Sequence, residues 1–144
     1  FWHDCAEASS KLVTVGPTAL RFFAMDANAR VSPQGCEHVG SAGTDSINDN
    51  GERFLLFLRD SKMVAVNTFW DCGHTWRSPH GPAARLDYVC VPVVLPAAVE
   101  LCDIPDCVDL SLTTKEDHRA VRLACCCAHQ RPRPLMRSAP MTSR

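Results

Sequence analysis

No stretch of roughly 18 consecutive apolar residues occurs in the 144-residue chain, so no segment reads as a membrane-spanning helix. A charged start followed by an apolar middle and a small-residue cleavage site is missing too. That excludes reading the first residues as a secretory leader and makes an intracellular location, nuclear or cytoplasmic, the expectation. Excess charge of one sign is lacking: the formal net charge is -1 and the sequence pI about 6.6. A global basic field of the kind that glues proteins to nucleic acid is therefore excluded, and any phosphate binding must be local. Internal repeats are absent as well.

Cysteine, by contrast, is plentiful at nine residues, yet the spacings of a zinc site are not there. Cys36-x-His38, Cys72-x-His74 and the Cys102/Cys107 pair do not form two close ligand pairs in register. Adjacent Cys125, Cys126 and Cys127 point in different directions and rarely bridge one another. In a reducing compartment the thiols then read as buried or idle.

A composition of 46% hydrophobic and 22% charged residues is that of a globular chain with one core. We expect one domain over 1–129, followed by an Arg/Pro-rich tail over 130–144, with Pro132, Pro134 and Pro140, that is disordered. Phe1, Trp2, Cys5 and Leu12 fall near helical spacing, so 1–12 reads as an amphipathic helix whose beginning is cut off. Leu20 to Met25 is an apolar run ending at Asp26, the signature of a buried strand. The Ser-, Gly-, Pro- and Asn-rich stretch from Ser32 to Asp49 reads as a surface loop. Asn50-Gly51 then opens a one-sided helix through Phe54, Phe57 and Leu58, and Met63 to Asn67 is a strand. Thr75-Trp76-Arg77 and Arg85 to Val91, joined through Ser78-Pro79-His80-Gly81-Pro82, read as a hairpin. Two further strands are expected at Val108 to Leu112 and at Ala120 to Ala124.

Three polar clusters share one kind of placement. Asp26-Ala27-Asn28 follows an apolar strand, Asp87 sits inside one, and Asp117-His118 directly precedes one. Carboxylates cost free energy to bury unless paired, hydrogen-bonded or metal-bound, so acids at strand ends tend to converge on a site. Taken singly, each cluster also has a plain reading: an Asx turn for Asp-x-Asn, a solvated pair for Asp-His, turn or helix-entry chemistry for Asn50-Gly51, and hairpin packing for Trp76 and Tyr88.

The ordered set is more specific than its members. Met25-Asp26-Ala27-Asn28-Ala29, Asn48-Asp49-Asn50-Gly51, His74-Thr75-Trp76-Arg77-Ser78, Arg85-Leu86-Asp87-Tyr88-Val89 and Glu116-Asp117-His118-Arg119 together resemble the latter half of the endonuclease/exonuclease/phosphatase superfamily. That superfamily includes AP endonucleases, pancreatic-type deoxyribonucleases, lipid and inositol phosphatases, and the endonuclease domains of non-LTR retrotransposons; the Thr-Trp-Arg-Ser to Arg-Leu-Asp-Tyr-Val stretch is most similar to the last. The resemblance spans about Leu20 to Leu123 and implies an α+β fold: part of a DNase-I-like four-layer α/β sandwich, with one sheet largely present and the N-terminal strands missing. It implies metal-dependent phosphodiester hydrolysis, with Mg²⁺ or Mn²⁺ as cofactor and DNA as partner. His118 would contact the scissile phosphate or handle the attacking water, with Asp87 as the carboxylate that orients it. Asp117 would bind the metal, Asp26 would orient or deprotonate the water, and Asn28 would donate to a phosphate oxygen. Thr75, Trp76, Arg77 and Arg85, with Asn28, would contact the substrate.

The sequence also departs from that pattern. The superfamily's early Asn and its metal-binding Glu lie upstream of the Asp-x-Asn strand, and only about two dozen residues precede Asp26 here. Met25 stands where Gly is usual and Glu116 where Ser is usual. A chain without the first half should leave an apolar sheet face uncovered, impair hydrolysis, and need a missing N-terminal half or a larger reverse-transcriptase polyprotein. A noncatalytic nucleic-acid-binding remnant using Arg77, His80 and Arg85, a non-functional retroelement fragment, and a phosphatase of small phosphoesters stay open as alternatives.

Overall fold

A computed structural model describes residues 1–12, 20–33, 36–43, 45–106, 108 and 117–126. The strand expected at Val108 to Leu112, apart from Val108 itself, lies outside the described residues, as do Cys107, Glu116, Cys127 and the tail over 130–144.

Helix α1 (Trp2–Leu12) and helix α2 (Asp49–Ser61) pack against each other. The local chemistry of α2 explains both of its ends. Asn48 is the N-cap, its Oδ1 accepting from the Gly51 N–H at 2.7 Å, and Asp49 and Glu52 place negative charge in the first turn, where the helix dipole favours it. At the far end Lys62 adopts a left-handed conformation, φ 54°, and its N–H returns to the Arg59 carbonyl. Gly51 is required by packing: a Cβ there would lie 1.9 Å from the Arg30 carbonyl oxygen.

Strands β1 (Phe23–Asp26), β2 (Met63–Ala65) and β5 (Asp87–Pro92) form an antiparallel sheet in the order β1-β5-β2. Its register pairs Phe23 with Cys90 and Asp26 with Asp87 on one side, and Ala65 with Cys90 on the other. Alternation along the strands sends side chains to two cores. Met63, Ala65, Tyr88 and Cys90 join Phe54, Phe57 and Leu58 of α2, with Trp2 against them, in an aromatic cluster. Val64, Val66 and Val91 face a second, aliphatic cluster, completed by the hairpin of β6 (Val99–Asp103) and β7 (Arg122–Cys125). The sheet thus lies between a helical layer and a hairpin, a mixed α+β arrangement. Among the described residues no helix is long and apolar enough to cross a membrane.

Several expectations need correction. The partner of β3 (Trp76–Arg77) is β4 (Ala83–Ala84), not the Asp87 strand; Asp87 to Pro92 belongs to the three-stranded sheet instead. The reason lies in Thr75 and Arg85, whose buried side chains turn the chain out of one sheet and into the other. The expected strand at 63–67 gives way after Ala65 to a 3-10 turn over Val66–Thr68, where Thr68 Oγ1 donates to the Ala65 carbonyl at 2.6 Å. Strand β6 was not expected at all. The described strands form three small sheets rather than one, and both faces of the largest carry a core. Bare apolar surface lies instead at edge strand β1, where Ala24 is exposed, and just before it at Phe22.

Candidate active site

Asp26 ends β1 and Asp87 begins β5, and the sheet register sets them directly opposite each other. Like charges in that relation repel unless a cation or proton intervenes. His118 supplies the intervening group. Its Nδ1 lies 3.0 Å from Asp87 Oδ2 and 3.2 Å from Oδ1, and its Nε2 lies 3.9 Å from Asp26 Oδ2. Partial burial pulls the His118 pKa down, but the Asp87 hydrogen bond and the charges of Asp87, Asp26 and Asp117 outweigh it, so the net shift is upward. Asp87 at Nδ1 holds the ring with Nε2 directed towards Asp26.

Backbone pairing carries His118 there. The Arg77 N–H donates to the Asp117 carbonyl at 2.8 Å and the Arg119 N–H to the Thr75 carbonyl at 2.8 Å, so residues 117–119 add to β3 as a short bridge opposite Trp76. Asp87 is held just as closely. Its N–H and that of Leu86 both donate to Thr75 Oγ1, at 3.0 and 2.9 Å, and its carbonyl accepts from Asn67 Nδ2 at 3.0 Å. Asn67 Oδ1 in turn accepts from the Val89 N–H at 3.2 Å.

The Asp26-Ala27-Asn28 turn is built on α2. Asn28 has φ 46°, and its N–H donates to Asp26 Oδ1 at 2.9 Å, the geometry of an Asx turn. Asn50 Nδ2 donates to the Ala27 carbonyl and, at 3.2 Å, to the Asn28 carbonyl, while Trp2 Nε1 donates to Asn50 Oδ1 at 2.7 Å. Asn48 accepts from the Arg30 N–H at 3.0 Å besides capping the helix. Asp26, Asn28, Trp76 and His118 then line one open pocket of about 420 Å³, joined by Arg30 and Asn48.

Five of the residues singled out in the sequence therefore meet: Asp26, Asn28, Asp87, His118 and Trp76. Others do not. Asp117 is exposed and lies outside the Asp26/Asp87/His118 group, its carbonyl serving the bridge to β3. Thr75 is fully buried, with its hydroxyl engaged by two backbone N–H groups. Arg85 is 4% exposed and donates to the carbonyls of Ala42 and Gly73, with Gly43 packed against its guanidinium. Arg77 is exposed on β3. Sequence reasoning missed Asn67 and Arg30. An Asn closing an apolar strand and an Arg two residues after Asn28 were the available signals.

One ligand atom each from Asp26, Asp87 and His118 falls within a 4.8 Å sphere of mutual distances. The two carboxylate oxygens suit a hard ion such as Mg²⁺ or Mn²⁺, whereas imidazole suits softer ions and has Nδ1 turned to Asp87. As donors, the two carboxylates fit such an ion, with His118 beside it. Compared with protein-family models, curated proteins and solved structures, the chain finds no match.

Proposed function

We propose that this chain carries part of a metal-dependent phosphodiester-hydrolysing site of the endonuclease/exonuclease/phosphatase type, within a partial DNase-I-like sandwich, and that its substrate is DNA, which it nicks. The observation that supports this reading is the grouping of Asp26, Asp87 and His118, of which Asp26 and His118 line one pocket with Asn28 and Trp76 while Asp87 stands behind His118. His118, whose protonated form is favoured by its pairing with Asp87, neutralises a phosphate oxygen and returns a proton as the ester bond breaks. Asp26, half-exposed and facing Nε2, orients the attacking water. Asn28 donates its side-chain amide to a second phosphate oxygen, and Trp76 offers a flat apolar wall for the neighbouring sugar or base. Asp26 and Asp87 would hold Mg²⁺ or Mn²⁺, which supplies Lewis-acid polarisation of the phosphate when bound. Arg30 stands at the pocket's edge, ion-paired with Asp45 at 3.7 Å, and is the cation nearest to hand for a phosphate that displaces Asp45.

Supercoiled plasmid incubated with Mg²⁺ or Mn²⁺ tests the reading directly. Conversion to open circle is expected, abolished by EDTA and reduced roughly 100-fold or more by His118→Ala or Asp26→Ala. Cleavage of p-nitrophenyl phosphate with intact plasmid would move the substrate to small phosphoesters. Absence of both activities with either ion would sink the hydrolytic reading for this chain.

A further inference from the structure

A second constellation lies on the other side of the sheet and has no part in the site above. Cys72, in the turn between Thr68 and Thr75, and Cys102, in β6, have their sulfur atoms 3.7 Å apart across 30 residues of sequence, and both are free thiols. Protonated Cys72 also donates to the Cys102 carbonyl at 3.1 Å, which fixes its side chain towards β6. From the geometry of the pair we infer that Cys72 and Cys102 form a reversible disulfide, a peroxide-sensitive modification site that fastens the turn before Thr75 to the β6–β7 hairpin.

The two thiols differ in ways that assign their roles. Cys102 is 4% exposed within the aliphatic cluster, whereas Cys72 is half-buried at its margin. The hydrogen bond between the two sulfurs holds Cys72 below the usual thiol range against the opposing effect of burial, with help from the buried Arg85 charge. The same bond, with burial, pushes Cys102 up. Cys72 is thus the attacking thiolate and Cys102 the resolving thiol. With hydrogen peroxide as oxidant, the Cys72 thiolate displaces hydroxide from the O–O bond and becomes a sulfenic acid. Cys102 then attacks that sulfur, the S–O bond breaks, and the oxygen leaves as water. Two thiols and one peroxide give one disulfide and two waters, with the sulfurs oxidised and the peroxide oxygens reduced. The sulfurs need only close from 3.7 Å to the roughly 2.05 Å of a disulfide, a movement within the reach of side-chain rotation.

The consequence for the fold follows from what each cysteine adjoins. The Gly73 carbonyl, next to Cys72, accepts from Arg85 Nε and Nη2, and Thr75 just beyond holds the Asp87 backbone. Cys102 pairs in register with Leu123 of β7, the strand that follows His118. The disulfide would therefore lock together the two stretches of chain that carry Asp87 and His118.

Mass spectrometry after brief treatment of the full chain with one or two equivalents of hydrogen peroxide is the test. The expected result is a loss of 2 Da, a peptide containing Cys72 linked to one containing Cys102, and complete reversal by dithiothreitol. Cys72→Ser should abolish the link, and Cys90→Ser, at a fully buried and unreactive thiol, should leave it unchanged. In Cys102→Ser, which keeps the native circular dichroism spectrum if the site tolerates it, dimedone should trap a sulfenic acid on Cys72. Should Cys102→Ser unfold, alkylation of the unsubstituted protein decides: iodoacetamide should label Cys72 at least about 10-fold faster than Cys90. Linkage of other cysteines with Cys72 and Cys102 both still free, or over-oxidation of Cys72 without any cross-link, would overturn the assignment. Plasmid nicking has no bearing on these outcomes.

Discussion

Strands β1 and β5 run side by side for four residue pairs, and the two ends of that ladder are built on opposite principles. At the Phe23–Cys90 end the side chains drop into the aromatic cluster under α2, where Phe54 is fully buried with its ring 4.8 Å from Tyr88. At the Asp26–Asp87 end two carboxylates face each other, half-exposed or less, and tolerate the arrangement because His118 stands between them. One end spends its sequence on burial; the other holds charge on backbone that is fixed by hydrogen bonds to the side chains of Thr75, Asn67 and Asn50. The comparison teaches that the polar end is positioned by its neighbours' backbone contacts, while the apolar end holds itself.

Truncation at the apolar end should have the largest effect. Phe54→Ala removes a fully buried ring and is expected to cost about 3–5 kcal/mol, read as a lower urea midpoint with an unchanged m-value. A loss under about 1 kcal/mol would mean the aromatic cluster collapses around the void and the contrast between the two ends is overstated.

The next effect lies where the two ends are coupled, at α2. Glycine to alanine near a helix start ordinarily stabilises by up to about 1 kcal/mol. At Gly51 the added Cβ would meet the Arg30 carbonyl at 1.9 Å, so backbone must move, and Gly51→Ala should instead destabilise by about 1–3 kcal/mol. Because Arg30 follows the Asp26-Ala27-Asn28 turn, the same change should shift the His118 imidazole resonances, which the more destabilising Phe54→Ala should leave in place. Asn48→Ala, which frees the N–H groups of Gly51 and Arg30, should cost about 1–2 kcal/mol in the same chemical denaturation series.

The apolar end was also the more legible in the sequence. Helical spacing of Phe54, Phe57 and Leu58 marks α2 because burial leaves a periodic trace, whereas the apolar run from Leu20 to Met25, read as a buried strand, becomes a strand only from Phe23 and lies at an edge with no fully buried residue. Convergence of Asp26, Asp87 and His118 could be anticipated from acids placed at strand ends, but not how it is achieved. Arg85 and Thr75 looked like surface contacts on a hairpin, yet both are buried and satisfied by backbone groups distant in sequence. Side chains that bond to backbone leave no period in the sequence, and the same blindness hid Asn67 and the switch of β5 out of the expected hairpin. Strand β6 was hidden differently: a register irregularity between Val99 and Leu101 breaks the alternation by which a strand is recognised.

The smallest expected effect concerns the compensation itself. His118 has its pKa raised in the folded chain, so the stability it contributes is fully present below its unfolded value near 6.5 and is lost as pH rises through the folded value. Unfolding free energy measured in EDTA should therefore fall as pH climbs from about 6 towards 8. Asp87→Asn keeps the side-chain shape and removes both the main partner of His118 and one of the two facing carboxylates. Its curve over that pH range should be flatter, with the remaining slope due to Asp26 and Asp117. Above the folded His118 pKa, where the imidazole has lost its proton, the facing carboxylates repel without relief, and Asp87→Asn should match or slightly exceed the wild type. A variant curve parallel to the wild type would mean that His118 draws nothing from Asp87, and that the polar end of the ladder is held by the backbone bonds of Thr75 and Asn67 alone.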